Sequence, residues 1–242
     1  MNYYSISTSL NKKITGYLPQ TKEIIYNCDV INEPKFIDLH FFREITINPI
    51  LANLSLYKST KLTDLISSNG GMGFTFGSMI ISDKLKKIFE QFNIYYLQYF
   101  PTFVVQNNER IDGYWQTHIS KQGFELLDFE KIRFVFKEII DSKAHYKDID
   151  FIKSLEDFLK CKEQNRWPVE LYFLDLILKK NIQYDYFFIP HYINGNAYGI
   201  VSENLKNEIE KNSITGIEFR PIKFSLQEWY HSEEREKIYG KS

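Results

Sequence analysis

Ile80-Ile81-Ser82-Asp83-Lys84-Leu85-Lys86 runs on to Ile94 and closes at Pro101. Ile200-Val201-Ser202-Glu203-Asn204-Leu205-Lys206 runs on to Ile214 and closes at Pro221. Aligned without gaps at an offset of 120, the two stretches share seven residues: Ile80/Ile200, Ser82/Ser202, Leu85/Leu205, Lys86/Lys206, Glu90/Glu210, Ile94/Ile214 and Pro101/Pro221. These fall on structural roles: a strand end, a helix N-cap, a helix core position, the start of the next strand and a closing proline. Leu85, Ile88, Phe89 and Phe92 follow the i, i+3, i+4, i+7 spacing of one helix face. Serine is a favoured N-cap, and Asp83 or Glu203 in the first turn complements the helix dipole. The pattern predicts two copies of a strand, capped helix and strand, with right-handed crossovers if the strands of a unit lie parallel in one sheet. The expected fold class is α+β. It has mixed sheets, with similar units around 76–101 and 197–221 packed as two lobes of one compact body.

Outward from these units, Tyr3–Ile6, Glu23–Tyr26 and Phe36–Phe41 read as strands, and Leu62–Ser67 as a helical turn or two. Gly113–Ile119 and Phe124–Asp128 read as further strands, with a short helix starting at Asp128. Asp150–Glu163 reads as a helix with Ile152, Leu155, Phe158 and Leu159 on its apolar face. Leu171–Leu178 and Asp185–Pro190 suggest a hairpin about Lys179-Lys180-Asn181, and residues 226–242 a charged, helical tail. No low-complexity linker interrupts the chain. The expectation is a single domain over 1–242, with a division into lobes 1–125 and 126–242 left open.

Composition narrows the classes. The chain has 242 residues, 30 basic and 31 acidic, for a net charge of −1. It carries 20 Phe, 17 Tyr and 3 Trp, too many aromatics for a disordered chain. The near-zero charge argues against a nucleic-acid partner, since coating phosphate takes a basic excess. No window approaches the ~18 apolar residues of a membrane span. The N-terminal residues lack a signal-type pattern, so no membrane partner and a cytoplasmic location are expected. Cys28 and Cys161 read as two free thiols.

Candidate chemistry is sparse. Asn69-Gly70-Gly71-Met72-Gly73 has glycines but no Gly-Lys-Ser/Thr ending, and reads as a turn. Asp38 and His40 would share a strand face, but two ligands do not make a metal site. His118, Asp112 and Ser120 are the residue types of a nucleophilic triad without a diagnostic motif. His145, His191 and His231 have no companions at ligand spacing. Tyr95, Tyr96, Tyr99 and Phe100 suggest a stacking platform, yet core packing explains them better. No catalytic residue, metal or cofactor is expected.

The second phrase is more specific. Ile200–Lys206 followed by Ile214-Thr215-Gly216-Ile217-Glu218-Phe219-Arg220-Pro221 resembles the C-terminal signature of the polymorphic-toxin immunity proteins, families eleven and forty-three. Asp112-Gly113-Tyr114-Trp115 and Leu127-Asp128-Phe129-Glu130-Lys131 are similar to the middle segment of that group; Ile132 departs from it, where the group has serine. The resemblance covers roughly residues 76–224. It implies a non-catalytic immunity protein that binds a cognate toxin encoded nearby and protects the producing cell. It carries over no catalytic residues. Partner contacts are expected from loops and a charged helix around Asp148, Asp150, Glu156 and Asp157. The alternative is a small hydrolase-type enzyme using His118 and Asp112.

Overall fold

Serine hydroxyls cap the helices that follow Ser82 and Ser202, as their position predicts. The Oγ of Ser82 and of Ser202 each accept the N–H three residues on, from Leu85 and Leu205, at 3.2 Å. The computed structural model in which this is seen describes residues 2–68, 70–74, 77–164, 169–190 and 198–240. Its N-terminal half contains β1 (Tyr3–Thr8), α1 (Lys12–Thr15), β2 (Thr21–Ile25), β3 (Asn53–Leu56), β4 (Leu65–Ile66), β5 (Ile80–Ser82), α2 (Asp83–Phe89), β6 (Leu97–Gln106) and β7 (Glu109–Ile119). There follow β8 (Phe134–Ile140), β9 (Lys143–Ile149), α3 (Leu155–Gln164), β10 (Val169–Phe173), β11 (Tyr186–Phe187), β12 (Ile200–Ser202), α4 (Glu203–Lys211), β13 (Ile217–Pro221), α5 (Leu226–Tyr230) and α6 (Glu233–Tyr239). The fold is α+β with mixed sheets. Strand orders are β2-β3-β6-β7-β5-β4, β11-β12-β1-β13 and β10-β8-β9.

The chain divides into two units. One holds residues 1–122, 184–188 and 196–242; the other holds 123–183 and 189–195. The polypeptide therefore crosses between them more than once. β12 and β13 pair with β1, and this gathers residues 196–242 with the N-terminal half.

Within the first unit, two sets of strands keep the same register. β5 pairs with β7 as Ile80↔Gln116, Ile81↔Trp115 and Ser82↔Tyr114; β12 pairs with β1 as Ile200↔Ser5, Val201↔Tyr4 and Ser202↔Tyr3. β6 meets β7 from Leu97↔Ile119 to Pro101↔Trp115, and β13 meets β1 from Ile217↔Thr8 to Pro221↔Tyr4. β1, supplied by the N-terminal segment, thus stands to β12 and β13 as β7 stands to β5 and β6. Each helix joins two strands that run parallel, with an antiparallel third strand between them. Leu85, Ile88 and Phe89 of α2 share one core with Leu205 and Ile209 of α4, with Ile6, Ile81, Val201 and Phe219 beside them. A second core gathers Phe36, Ile37, Leu54, Ile66, Ile80, Val104 and Tyr114.

Several local expectations are corrected. Phe36–Phe41 is not a strand: Ile37–His40 forms a 3-10 turn. Phe36 and Ile37 are adjacent and both enter the same core, which alternating strand faces cannot arrange. Leu62–Ser67 is not helical; Leu65 and Ile66 pair with Ile81 and Ile80, a ladder that outweighs a costly single helical turn. Phe124–Leu126 is a 3-10 turn rather than strand. β6 continues through Pro101 to Gln106; pairing with β3 starts only at Val104, so the missing proline N–H interrupts no ladder there. α3 begins at Leu155 rather than Asp150, and α2 ends at Phe89. The hairpin expected between 171 and 190 does not form, because β10 pairs with β8 and β11 with β12. Two hairpins do form elsewhere: β6–β7 turns at Asn107 and Asn108 (φ 54° and 65°), and β8–β9 at Asp141 and Ser142 (φ 48° and 62°).

Candidate functional site

The residue types of the hydrolase alternative are not assembled. Asp112 and His118 lie six residues apart on the continuous strand β7, a separation of about 20 Å at ~3.4 Å per residue. The Asp112 carboxylate is exposed and forked by Arg110, through Nε at 2.8 Å and Nη2 at 2.7 Å. His118 is 7% exposed, and its Nε2 meets the Arg43 carbonyl at 2.8 Å. Burial lowers the pKa of the ring, and the carbonyl contacts of Arg43 and His40 oppose that shift. Ser120 Oγ donates to the Tyr96 carbonyl at 3.1 Å.

Asp38 and His40 also part company. Both lie on the 3-10 turn, where Asp38 is buried and accepts the Gly73 N–H, while the His40 ring meets the Pro34 carbonyl at 3.2 Å. The glycine loop thus uses one of its amides on the chain itself. Among the described residues no group of three His, Cys, Asp or Glu is placed to hold a metal. His145 is exposed on β9 and His231 is the C-cap residue of α5; His191 lies outside the described residues. The aromatic run is split. Tyr99 packs on the first core and Phe100 on the second, Tyr95 is buried, and Tyr96 is exposed. Cys28 and Cys161 are free thiols, the second buried.

The four acids expected to meet a partner lie in the second unit. Asp148 is on β9, Asp150 follows it, and Glu156 and Asp157 are in the first turn of α3. Asp148, Asp150 and Glu156 are exposed. Asp157 is taken up locally: Oδ2 accepts Lys153 N at 3.1 Å and Ser154 Oγ at 2.8 Å, while its own N–H donates to Ser154 Oγ at 3.1 Å. Those bonds lower its pKa. Beside these acids the β8–β9 ribbon exposes Ile139, Ile140 and Tyr146 (42%, 45% and 53%). The sequence reading missed that ribbon, although the aromatic and β-branched residues of Phe134–Ile140 running into the polar pair Asp141-Ser142 were its signal.

The first unit contains an open cleft of about 540 Å³, within the range of ligand sites. It opens where β3 and β6 splay. Their parallel pairing is confined to Leu54↔Val104 and Ser55↔Val105, and Asn48–Leu51 and Phe100–Phe103 both line the cleft. Asn53 bridges the floor, donating from Nδ2 to Thr102 Oγ1 at 2.8 Å and to the Phe103 carbonyl at 3.2 Å. Asp83 and Asp112 stand on either side of Gly113 at its mouth.

No family model matches the chain, and no curated protein matches it.

Proposed function

We propose that this chain is an immunity protein: it binds a co-encoded bacterial toxin in the cytoplasm of the producing cell and neutralises it without catalysis. The observation that carries the reading is the phrase Ile200–Lys206 with Ile214–Pro221 and its resemblance to immunity families eleven and forty-three. Its side chains act as scaffold, which suits a signature shared by binders of different toxins. Ser202 caps α4, Leu205 and Phe219 are buried, and Gly216 turns at φ +83° where a Cβ would meet the Leu65 carbonyl at 2.5 Å. On this reading the segments around 76–101 and 197–221 are copies of one unit, and recognition is left to loops and exposed surfaces. Asp148, Asp150 and Glu156 contribute a negative surface that steers the toxin, while Asp157 holds the start of α3. The hydrolase alternative is weakened by the spacing of Asp112 and His118 along β7.

Co-expression tests the reading. Cells carrying the neighbouring toxin gene should survive with this protein and die without it, and the two proteins should co-purify in fixed stoichiometry. Equal killing in both strains, with no complex at micromolar concentrations, would refute it.

A further inference from the structure

We infer that the cleft beside Phe100–Phe103 is the anchoring site for the toxin, and that it takes a loop carrying a lysine or arginine side chain. The inference rests on the immunity reading and adds to it a place and a chemistry.

The first argument comes from the matching strands. β13 is the edge of its sheet, and the chain's own α6 covers it: Phe219 N–H donates to Tyr239 Oη at 3.0 Å, and Glu218 holds Arg235 through paired bonds of 2.9 Å. β6 has the same register against β7 that β13 has against β1, so Gln98, Tyr99 and Pro101 correspond to Glu218, Phe219 and Pro221. Gln98 is likewise engaged by polypeptide, accepting Ile45 N at 2.8 Å and donating to Ile45 O at 3.0 Å. Beyond it, Phe100 and Pro101 line the cleft with no strand among the described residues paired outside them, before Asn53 takes up Thr102 and the Phe103 carbonyl and β3 joins at Val104. An edge that binds polypeptide on its twin, and on its own flank, is here open to a polypeptide from outside.

The second argument is the sign of the wall. Its ionised groups are Asp83, Asp112 and Arg110. Arg110 is neutralised by Asp112, and the Asp83 carboxylate meets a neutral donor, the Trp115 indole N–H. That leaves one negative charge uncompensated by a side chain. Pro49 and Pro101 add carbonyls without N–H groups. A basic side chain supplies donors and positive charge together. The wall already holds one such group: the Arg110 guanidinium lies 4.1 Å from the centre of the Phe103 ring while forked onto Asp112.

The test is the kinetics of binding to the co-encoded toxin for the unaltered protein and two sets of variants. Asn48 is exposed at the cleft and Asp112 is exposed at its mouth, so Asn48→Trp fills the site and Asp112→Ala removes charge from it. Each should speed toxin dissociation at least tenfold, with circular dichroism and melting unchanged. A charge-reversed Asp148/Asp150/Glu156 variant should slow association instead. Tight binding unchanged in both cleft variants would overturn the inference and leave the immunity reading standing. Absence of any complex with the unaltered protein would overturn both.

Discussion

Asp64 and Asp185 are reciprocal clasps. Asp64 accepts the Ser82 hydroxyl on Oδ1 at 2.6 Å and the Thr215 N–H on Oδ2 at 2.8 Å; Asp185 accepts the Ser202 hydroxyl on Oδ1 at 2.6 Å and the Asn93 N–H on Oδ2 at 3.2 Å. Each carboxylate therefore fixes the cap of the helix that follows it and reaches to the far end of the other strand–helix segment. The carbonyls join in, with Ser82 N donating to Asp64 O and Ser202 N to Asp185 O, both at 2.8 Å.

Those hydroxyls each accept and donate, so their removal breaks two bonds. Ser82→Ala and Ser202→Ala should each cost about 0.5–2 kcal/mol in urea unfolding. Combining Ser82→Ala with Asp64→Ala should cost less than the sum of the single changes, by about 0.5–3 kcal/mol, because the residues share one interaction. Additive losses would show that the clasp contributes nothing.

Glu218 and Arg235 form an ion pair whose side chains are 1% and 3% exposed. Glu218 Oε1 also accepts Leu10 N at 2.7 Å and Ser9 Oγ at 3.1 Å. Arg235→Met should destabilise the protein by about 3–5 kcal/mol, since it leaves a buried carboxylate without its cation. Adding Glu218→Gln should recover part of that loss by removing the charge while keeping an acceptor for Ser9 and Leu10. Equilibrium denaturation of the two variants beside the unaltered protein checks both statements.

The lowered pKa of His118 makes a pH prediction. In the unfolded chain a histidine titrates near ~6.5, so between there and the lower folded value the unfolded state binds the extra proton. Stability is therefore complete above about pH 6.5 and falls as the pH drops through the folded value. Asp38, His40 and Arg43 surround the ring and belong to the same turn region. His118→Gln should flatten that part of the stability profile; an unchanged slope between pH 7 and 5 would contradict it.

The β8–β9 turn carries Asp141 and Ser142 at positive φ, the geometry for which glycine is preferred at the second position. Ser142→Gly should stabilise the hairpin by up to about 1 kcal/mol, seen as a higher melting temperature, because serine is strained there and glycine is not. A lower melting temperature would show that the gain in unfolded-chain entropy outweighs the strain.

The serine-capped helices α2 and α4 were legible because their determinants are local. A serine cap, an acidic first turn and apolar residues at helical spacing act within about ten residues. The α+β class followed from the same pattern. The partners of the strands were not legible. Nothing in Tyr3–Thr8 says that it lies between β12 and β13, some two hundred residues away, since β pairing depends on backbone groups that every residue carries. Phe36 and Ile37 looked like strand residues until tertiary packing demanded both in one core. The candidate sites divide in the same way. The exposed acids could be read from the composition of one segment, but the cleft lies beside the two paired positions of β3 and β6 and is assembled by the fold. Its walls come from segments near residues 27, 50, 83, 101 and 112, which share no sequence pattern and meet only in the folded chain.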